Sequence, residues 1–347
     1  MDQPLGVHDK TATRGARRVC CTLGVIHDFS QAAEDLYVVA GIRISAERLR
    51  QLVEQEGRAA FEARLSGSLA PAWSAPEAQR VYVGVDGVLV RAVTQDEKQK
   101  RRQQHETIRE GRERVGIGNT KPLPSMRSGT TDNFKEMKIG LFYDQKKARV
   151  LTFATQEDHI GFGHLLENQA TRLDLEQADE SISLTDGACW IRNRILEHIP
   201  SIDAMLLDFY HFSEHVWDAA KCCFSNPQEA KEWAEARLDE VKELGPSAVL
   251  AAIAELNKKV RSASKRECLR LLRGYIAERL EMLDYRQALA RGWDIGSGPT
   301  EAMCKNLTLR LKRTGMKWNP DNAAAVMNLV ALRESHQWNQ WWDRLAA

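Results

Sequence analysis

The 347-residue chain contains no run of about 18 apolar residues, so no membrane-spanning helix is expected. Its first residues, MDQPLGVHDKTATRGARR, lack an apolar stretch and do not read as a secretory signal. Among the seven cysteines no two form a C-x-x-C pair, although Cys20-Cys21 and Cys222-Cys223 are adjacent. Neither a zinc ribbon nor a disulfide framework is suggested, and a reduced, cytoplasmic protein is expected. Internal repeats and low-complexity tracts are also missing. Net charge is nearly absent, at +1 from 49 Lys and Arg against 48 Asp and Glu. A balance so even would ordinarily argue against nucleic acid as a partner.

What is present qualifies that last exclusion. Residues 95–138 carry eleven Lys and Arg against seven Asp and Glu. The stretch 305–317 holds Lys305, Arg310, Lys312, Arg313 and Lys317 with no acid. Basic stripes, rather than totals, make an electrostatic footprint for phosphates, although such runs are also common on solvated faces. A content of 43% hydrophobic and 28% charged residues is that of an ordinary globular chain. Its length predicts two or three sub-domains, since chains beyond about 250–300 residues tend to divide.

Residues 1–70 read as a helical N-terminal region. Two helical patterns, DFSQAAEDLYVVAG and SAERLRQLVEQEG, fill 29–57 and break at Gly41, with Ser45 as N-cap of the second. Arg43, Arg48 and Arg50 cluster around that start. The pair fits a helix-turn-helix that reads a major groove through Arg48 and Arg50, or two helices that pack on the following domain. Pro71 and Pro76 mark a linker. VYVGVDGVLV (81–90) reads as a strand that Gly87 breaks just after Asp86. A basic insertion rich in turn residues spans 94–133, longer than structureless loops usually are.

Two strands, 134–144 and 146–155, form a hairpin about Asp144-Gln145. A helix at about 160–174, a strand ending at Asp186, a helix at about 188–198, a strand at 204–210 and a helix from 211 follow. The order β-β-β-α-β-α-β-α is that of a ribonuclease H-like α/β core, a mixed sheet covered by helices, over 80–225. Residues 226–290 are helical throughout and read as an all-helical insertion. Residues 291–347 supply a last helix of the core and C-terminal helices.

Three carboxylates stand out. Asp86 sits inside a β-branched run, where aspartate is disfavoured and a buried charge must be paired or metal-bound. Asp186 ends the strand SISLTD. Each precedes a glycine, so a turn-forming Asp-Gly step is the competing explanation. Glu301 falls at the third position of a helix if Pro299 occupies the first, where a capping role is the plain alternative. The stripe Glu301, Lys305, Thr308, Lys312 would place one carboxylate and two ammoniums on one face, opposite Met303, Leu307 and Leu311. Carboxylates from two strand ends and a helix suit Mg²⁺, which takes oxygen ligands and borrows the rest from water and phosphate.

Two further motifs compete. His211, Glu214 and His215 match the inverted His-x-x-Glu-His zinc peptidase pattern, with Glu278 or Glu281 as third ligand. Trp338, Trp341 and Trp342 share a helical face that fits either core packing or stacking on bases.

Together, VGVDGV, LTDGACWI, LDFYHFSEHVWDAA and GWDIGSGPTEAMCKNLTLRLKRTGMKW resemble DDE transposases of bacterial insertion sequences. Within these the Kra-type group, distantly related to Mutator-like transposases, matches over about 80–345. The resemblance implies a DNA transposase that binds inverted terminal ends, cuts them with Mg²⁺ (or Mn²⁺) and joins them to target DNA as a dimer or larger assembly. It makes Asp86, Asp186 and Glu301 the catalytic, metal-binding triad, with Asp208 and His211 as a supporting Asp-x-x-His step. Lys305, Arg310, Lys312, Arg313 and Lys317 are then expected on DNA. A non-catalytic, domesticated transposase-derived DNA-binding protein and a zinc metallopeptidase are the rival classes.

Overall fold

Alternating β-branched residues in 81–90 need a partner on each side, and the computed structural model supplies them. It describes residues 12–116 and 134–344. Helices α1 (Arg14–Gly24), α2 (Phe29–Ala40) and α3 (Ala46–Ser66) lead to β1 (Val81–Arg91), then α4 (Gln95–Arg114). Strands β2 (Phe134–Asp144) and β3 (Val150–Thr155) precede α5 (His159–Arg172), β4 (Ser181–Thr185), α6 (Cys189–His198) and β5 (Ala204–Leu207). Helices α7 (Phe209–Cys223), α8 (Pro227–Glu243), α9 (Pro246–Lys259), α10 (Ala263–Glu278) and α11 (Tyr285–Ala290) follow, then α12 (Gly298–Thr308), α13 (Pro320–Glu334) and α14 (Trp338–Asp343).

The sheet has five strands in the order β3-β2-β1-β4-β5. The first three pair antiparallel, and β4 and β5 join parallel to β1. Side chains alternate across it, as a period of two demands. Tyr82, Met137, Ile139, Leu141 and Leu184 point into a core shared with α1, α2, α3, α12 and α13. Val81, Val83, Val85 and Phe153 point the other way, into a core with α5 and α6. Helices α7 to α11 build a third core of their own. The protein is thus a mixed α/β structure, and no described helix is long and apolar enough to cross a membrane.

Several expectations need correction. Gly87 does not break β1, which stays paired with β2 from Val81↔Asp144 through Arg91↔Phe134. The basic insertion begins with a 20-residue helix, α4, whose capping box joins Thr94 and Glu97 and which buries none of its residues. The remainder, 117–133, lies outside the described residues. Strand β5 stops at Leu207 because Asp208 caps α7. The hairpin strand β3 starts at Val150, after a turn in which Asp144 accepts from the Ala148 and Arg149 N–H groups. Helix α3 runs to Ser66 and buries Leu49, Leu52, Val53, Ala60 and Ala63. Its Arg64, also buried, donates to the Thr152 and Ala331 carbonyls and to Gln337, tying the N-terminal helices to β3 and α13. Cys222 of α7 and Cys268 of α10 form a disulfide, which spacing did not announce.

Candidate active site

The parallel register is what gathers the acids. Strand β1 pairs with β4 as Val81↔Ser181, Tyr82↔Ile182 and Val83↔Ser183. Carried forward, the same register sets Asp86 level with Asp186. Strands β4 and β5 pair up to Thr185↔Leu207, which sets Asp186 level with Asp208. Three aspartates therefore form one row across neighbouring strands, on the face that carries Tyr82 and Gly84. Helix α12 lies over that face. A Cβ placed on Gly84 would collide with Oγ1 of Thr300, so only glycine lets the helix approach this closely.

Asp86, Thr185, Asp186, Asp208, His211, Ser297, Thr300 and Glu301 line one cavity of about 240 Å³. Asp86 accepts from the Gly87 N–H at 2.6 Å, and Asp186 from the Ala188 N–H at 2.9 Å. Burial raises the Asp86 carboxyl above its ordinary range; the Cys304 thiol and the Gly87 N–H oppose this, while Asp186 and Glu136 add to it. Glu301 is exposed at the rim. The arrangement is open: no three of these acids bring one oxygen each to within 4.8 Å of one another. The carboxylates of Asp86, Asp186 and Glu301, with the buried, unpartnered Thr300 hydroxyl beside them, are oxygen donors of the kind a hard cation such as Mg²⁺ or Mn²⁺ takes. Among the described residues, His211 is the one nitrogen ligand lining the same cavity.

Asp208 has a different task. It is 2% exposed. One oxygen accepts the His211 N–H at 2.7 Å, and the other accepts the Ser297 N–H. Both oxygens are taken up by backbone, so Asp208 positions α7 and the start of α12. Ser297 and Thr300 were not singled out from sequence, although GSGPTE placed them directly before Glu301. The helix begins at Gly298, which makes Pro299 its second residue and Glu301 its fourth.

The basic stripe divides. Lys305, Lys312, Arg313 and Lys317 are exposed. Arg310 is 2% exposed, lies over the rings of Phe29 and Trp318 and donates to the Gly24 carbonyl. Burial pulls its guanidinium down to about 10. It is a packing residue, not part of an open phosphate surface. The stripe Glu301, Lys305, Thr308, Lys312 also fails as one helix face, because α12 ends at Thr308, which is buried. After it the chain returns to β1, where Trp318 bonds Arg91 and Val93 through backbone groups. The end of the stretch 305–317 therefore lies beside the start of the stretch 95–138, since α4 starts at Gln95.

Arg48 and Arg50, the two arginines expected in a major groove, have partners within α3 itself. Ser45 caps α3 as expected, accepting from the Arg48 N–H. Arg50 forks onto Glu47 at 2.6 and 2.9 Å and reaches Glu54 at 2.7 Å. Arg48 reaches Gln51 at 3.4 Å. For the peptidase pattern, His211 lies 3.6 Å from Glu214, and His215 packs on Tyr275 with ring centroids 3.8 Å apart. Glu278 and Glu281 pair with Arg279 and Arg192. No third ligand joins the two histidines among the described residues. Trp341 and Trp342 are buried in the core, and Trp338 packs beside them, which leaves no base-stacking face.

No protein-family model matches the chain, and no curated protein matches it significantly.

Proposed function

We propose that the protein is a DDE-type DNA transposase with a ribonuclease H-like core, of the Kra-type insertion-sequence group. The observation that carries this reading is the meeting of Asp86, Asp186 and Glu301 at one cavity, from two parallel neighbours and a helix packed over them. Bound to these carboxylates, Mg²⁺ would polarise a phosphodiester and favour attack by water. The chain's own part is to hold the acids and the DNA in register. Asp86 and Asp186 are fixed by backbone N–H groups, and Asp208 fixes the helix that carries Glu301. Lys305, Lys312, Arg313 and Lys317 would grip the DNA backbone, with α4 extending the basic surface.

Cleavage adds water across a phosphodiester and frees a 3′-hydroxyl at each element end. Strand transfer then uses that hydroxyl to displace a 3′-oxygen in target DNA. Because two ends must be joined together, a homodimer or larger assembly on DNA is expected. The test is incubation of the purified protein with labelled DNA carrying the sequences that flank its coding region, in Mg²⁺ or Mn²⁺. Specific nicks that vanish in Asp86→Asn, Asp186→Asn and Glu301→Gln support the reading. Binding to those flanks without metal-dependent cutting would instead mark a non-catalytic, transposase-derived DNA-binding protein.

A further inference from the structure

A second group of potential ligands lies on the opposite side of the sheet. His164, Glu167 and His198 each offer one ligand atom, and the three atoms lie within 4.8 Å of one another. It is the one such group among the described residues. His164 and Glu167 stand three positions apart on α5, which puts them on one helix face. His198 ends α6. Its Nδ1 lies 2.9 Å from Glu167 Oε2, and its ring meets that of His164 edge-on with centroids 5.1 Å apart.

We propose that His164, Glu167 and His198 bind one zinc-class divalent cation that clips α5 to α6. Two imidazoles and a carboxylate are a donor set for Zn²⁺ and its first-row neighbours, whereas Mg²⁺ prefers oxygen alone. Nδ1 is the ring atom of His198 that serves, because Nε2 is buried without a partner against Gly163 and Arg194. The nearby Arg194 charge is engaged by Glu197 at 2.6 Å and does not contest the ion. His198 is 8% exposed, while His164 and Glu167 are open to solvent, giving a rigid ligand at the base and an entry path above it. Three protein ligands leave a fourth position for water.

This site is separate from the carboxylate row. Helix α6 starts just past Asp186 and ends at His198, and its ten residues span about 15 Å. Cation binding there does not depend on the proposed transposase chemistry.

The experiment uses untagged full-length protein, stripped of metal, with Asp86→Asn, Asp186→Asn and Glu301→Gln combined to silence the carboxylate row. Zn²⁺ is titrated by calorimetry, and Co²⁺ is followed by its visible absorption. One ion per chain is expected, with a rise in Tm on Zn²⁺ addition. In this background His164→Ala and Glu167→Gln should each weaken binding at least ~10-fold and abolish the Tm rise. His215→Ala should leave both unchanged. Both ligand positions are exposed, so the variants should fold, which circular dichroism verifies. Absence of saturable binding, or binding unchanged in both ligand variants, overturns the site and leaves His198 and Glu167 as an ordinary hydrogen-bonded pair.

Discussion

Asp208 and Ser297 are 89 positions apart, yet the Asp208 carboxylate accepts the Ser297 N–H while capping α7 through His211. One buried side chain therefore fixes the start of the helix that carries Glu301. Replacing it with alanine removes a helix cap, worth about 1 kcal/mol, and strands a buried N–H, worth about 1–3 kcal/mol. A loss of about 2–4 kcal/mol in urea unfolding is expected, together with weaker divalent-ion binding. A variant as stable as the wild type would mean that α12 is anchored elsewhere.

Gly84 of β1 and Thr300 of α12 form a second contact that seats this helix on the sheet. Gly84→Ala should destabilise the fold by about 1–3 kcal/mol, because the added methyl meets a buried hydroxyl in a packed face. Thr300→Ala should relieve much of this, and Thr300→Ser little, since serine keeps the Oγ. A double-mutant cycle measures the coupling; additive losses for Gly84→Ala and Thr300→Ala would contradict the contact.

The strand carrying Asp86 and the acids themselves were legible in the sequence, whereas a meeting of Asp86, Asp186 and Glu301 was implied by the family resemblance and not by any local pattern. Alternation identified β1, and β-propensity marked Asp86 as anomalous. Register between parallel strands is a tertiary property, so the level row of Asp86, Asp186 and Asp208 left no local trace. Helix α4 was hidden for a different reason. It has no apolar stripe, and turn residues at 117–133 coloured the whole segment, although Thr94 and Glu97 already spelled a capping box. Arg310 was counted with the cations of the acid-free run 305–317, where no local signal marks it as buried, and the stripe to Lys312 was drawn past Thr308, where the helix stops. For the N-terminal helices, DNA reading and packing on the next domain stayed open alternatives because their partners in β3 and α13 lie far away in sequence. Deleting these helices would strip Leu49, Leu52 and Val53 from the shared core and uncover the face of α13 that α3 covers, so point variants are the better probe of DNA binding.

Ionisation at the carboxylate row should show in stability. The Asp86 pKa is raised by burial, so the folded state holds its proton above the unfolded pKa of about 3.9. Stability from this group is full below that value and falls as pH rises through the folded pKa. At neutral pH without divalent ions, Asp86→Asn should therefore unfold at a higher urea concentration than the wild type. The gain should shrink towards pH 4. A midpoint that is lower at neutral pH would mean that the carboxylate is stabilised, not strained, in its site.

DNA affinity should separate the exposed cations from the buried one. Lys305→Gln, Lys312→Gln, Arg313→Gln and Lys317→Gln should each weaken binding and lower the log–log salt slope by roughly 0.9 for each phosphate no longer neutralised. Arg310→Gln should lower Tm, because its guanidinium packs on Phe29 and Trp318. Fluorescence anisotropy over a salt series measures the slopes. Unchanged slopes in all four exposed variants would reduce the stripe to a solvated face.

The central claim is that Asp86, Asp186 and Glu301 act as one divalent-metal site, and Mn²⁺ binding followed by electron paramagnetic resonance tests it most directly. With His164→Ala present throughout to silence the second site, the account predicts bound Mn²⁺ in the parent protein. That binding should be strongly weakened by each of Asp86→Asn, Asp186→Asn and Glu301→Gln. Mn²⁺ binding that is indifferent to Glu301→Gln, with the variant correctly folded, would contradict the account.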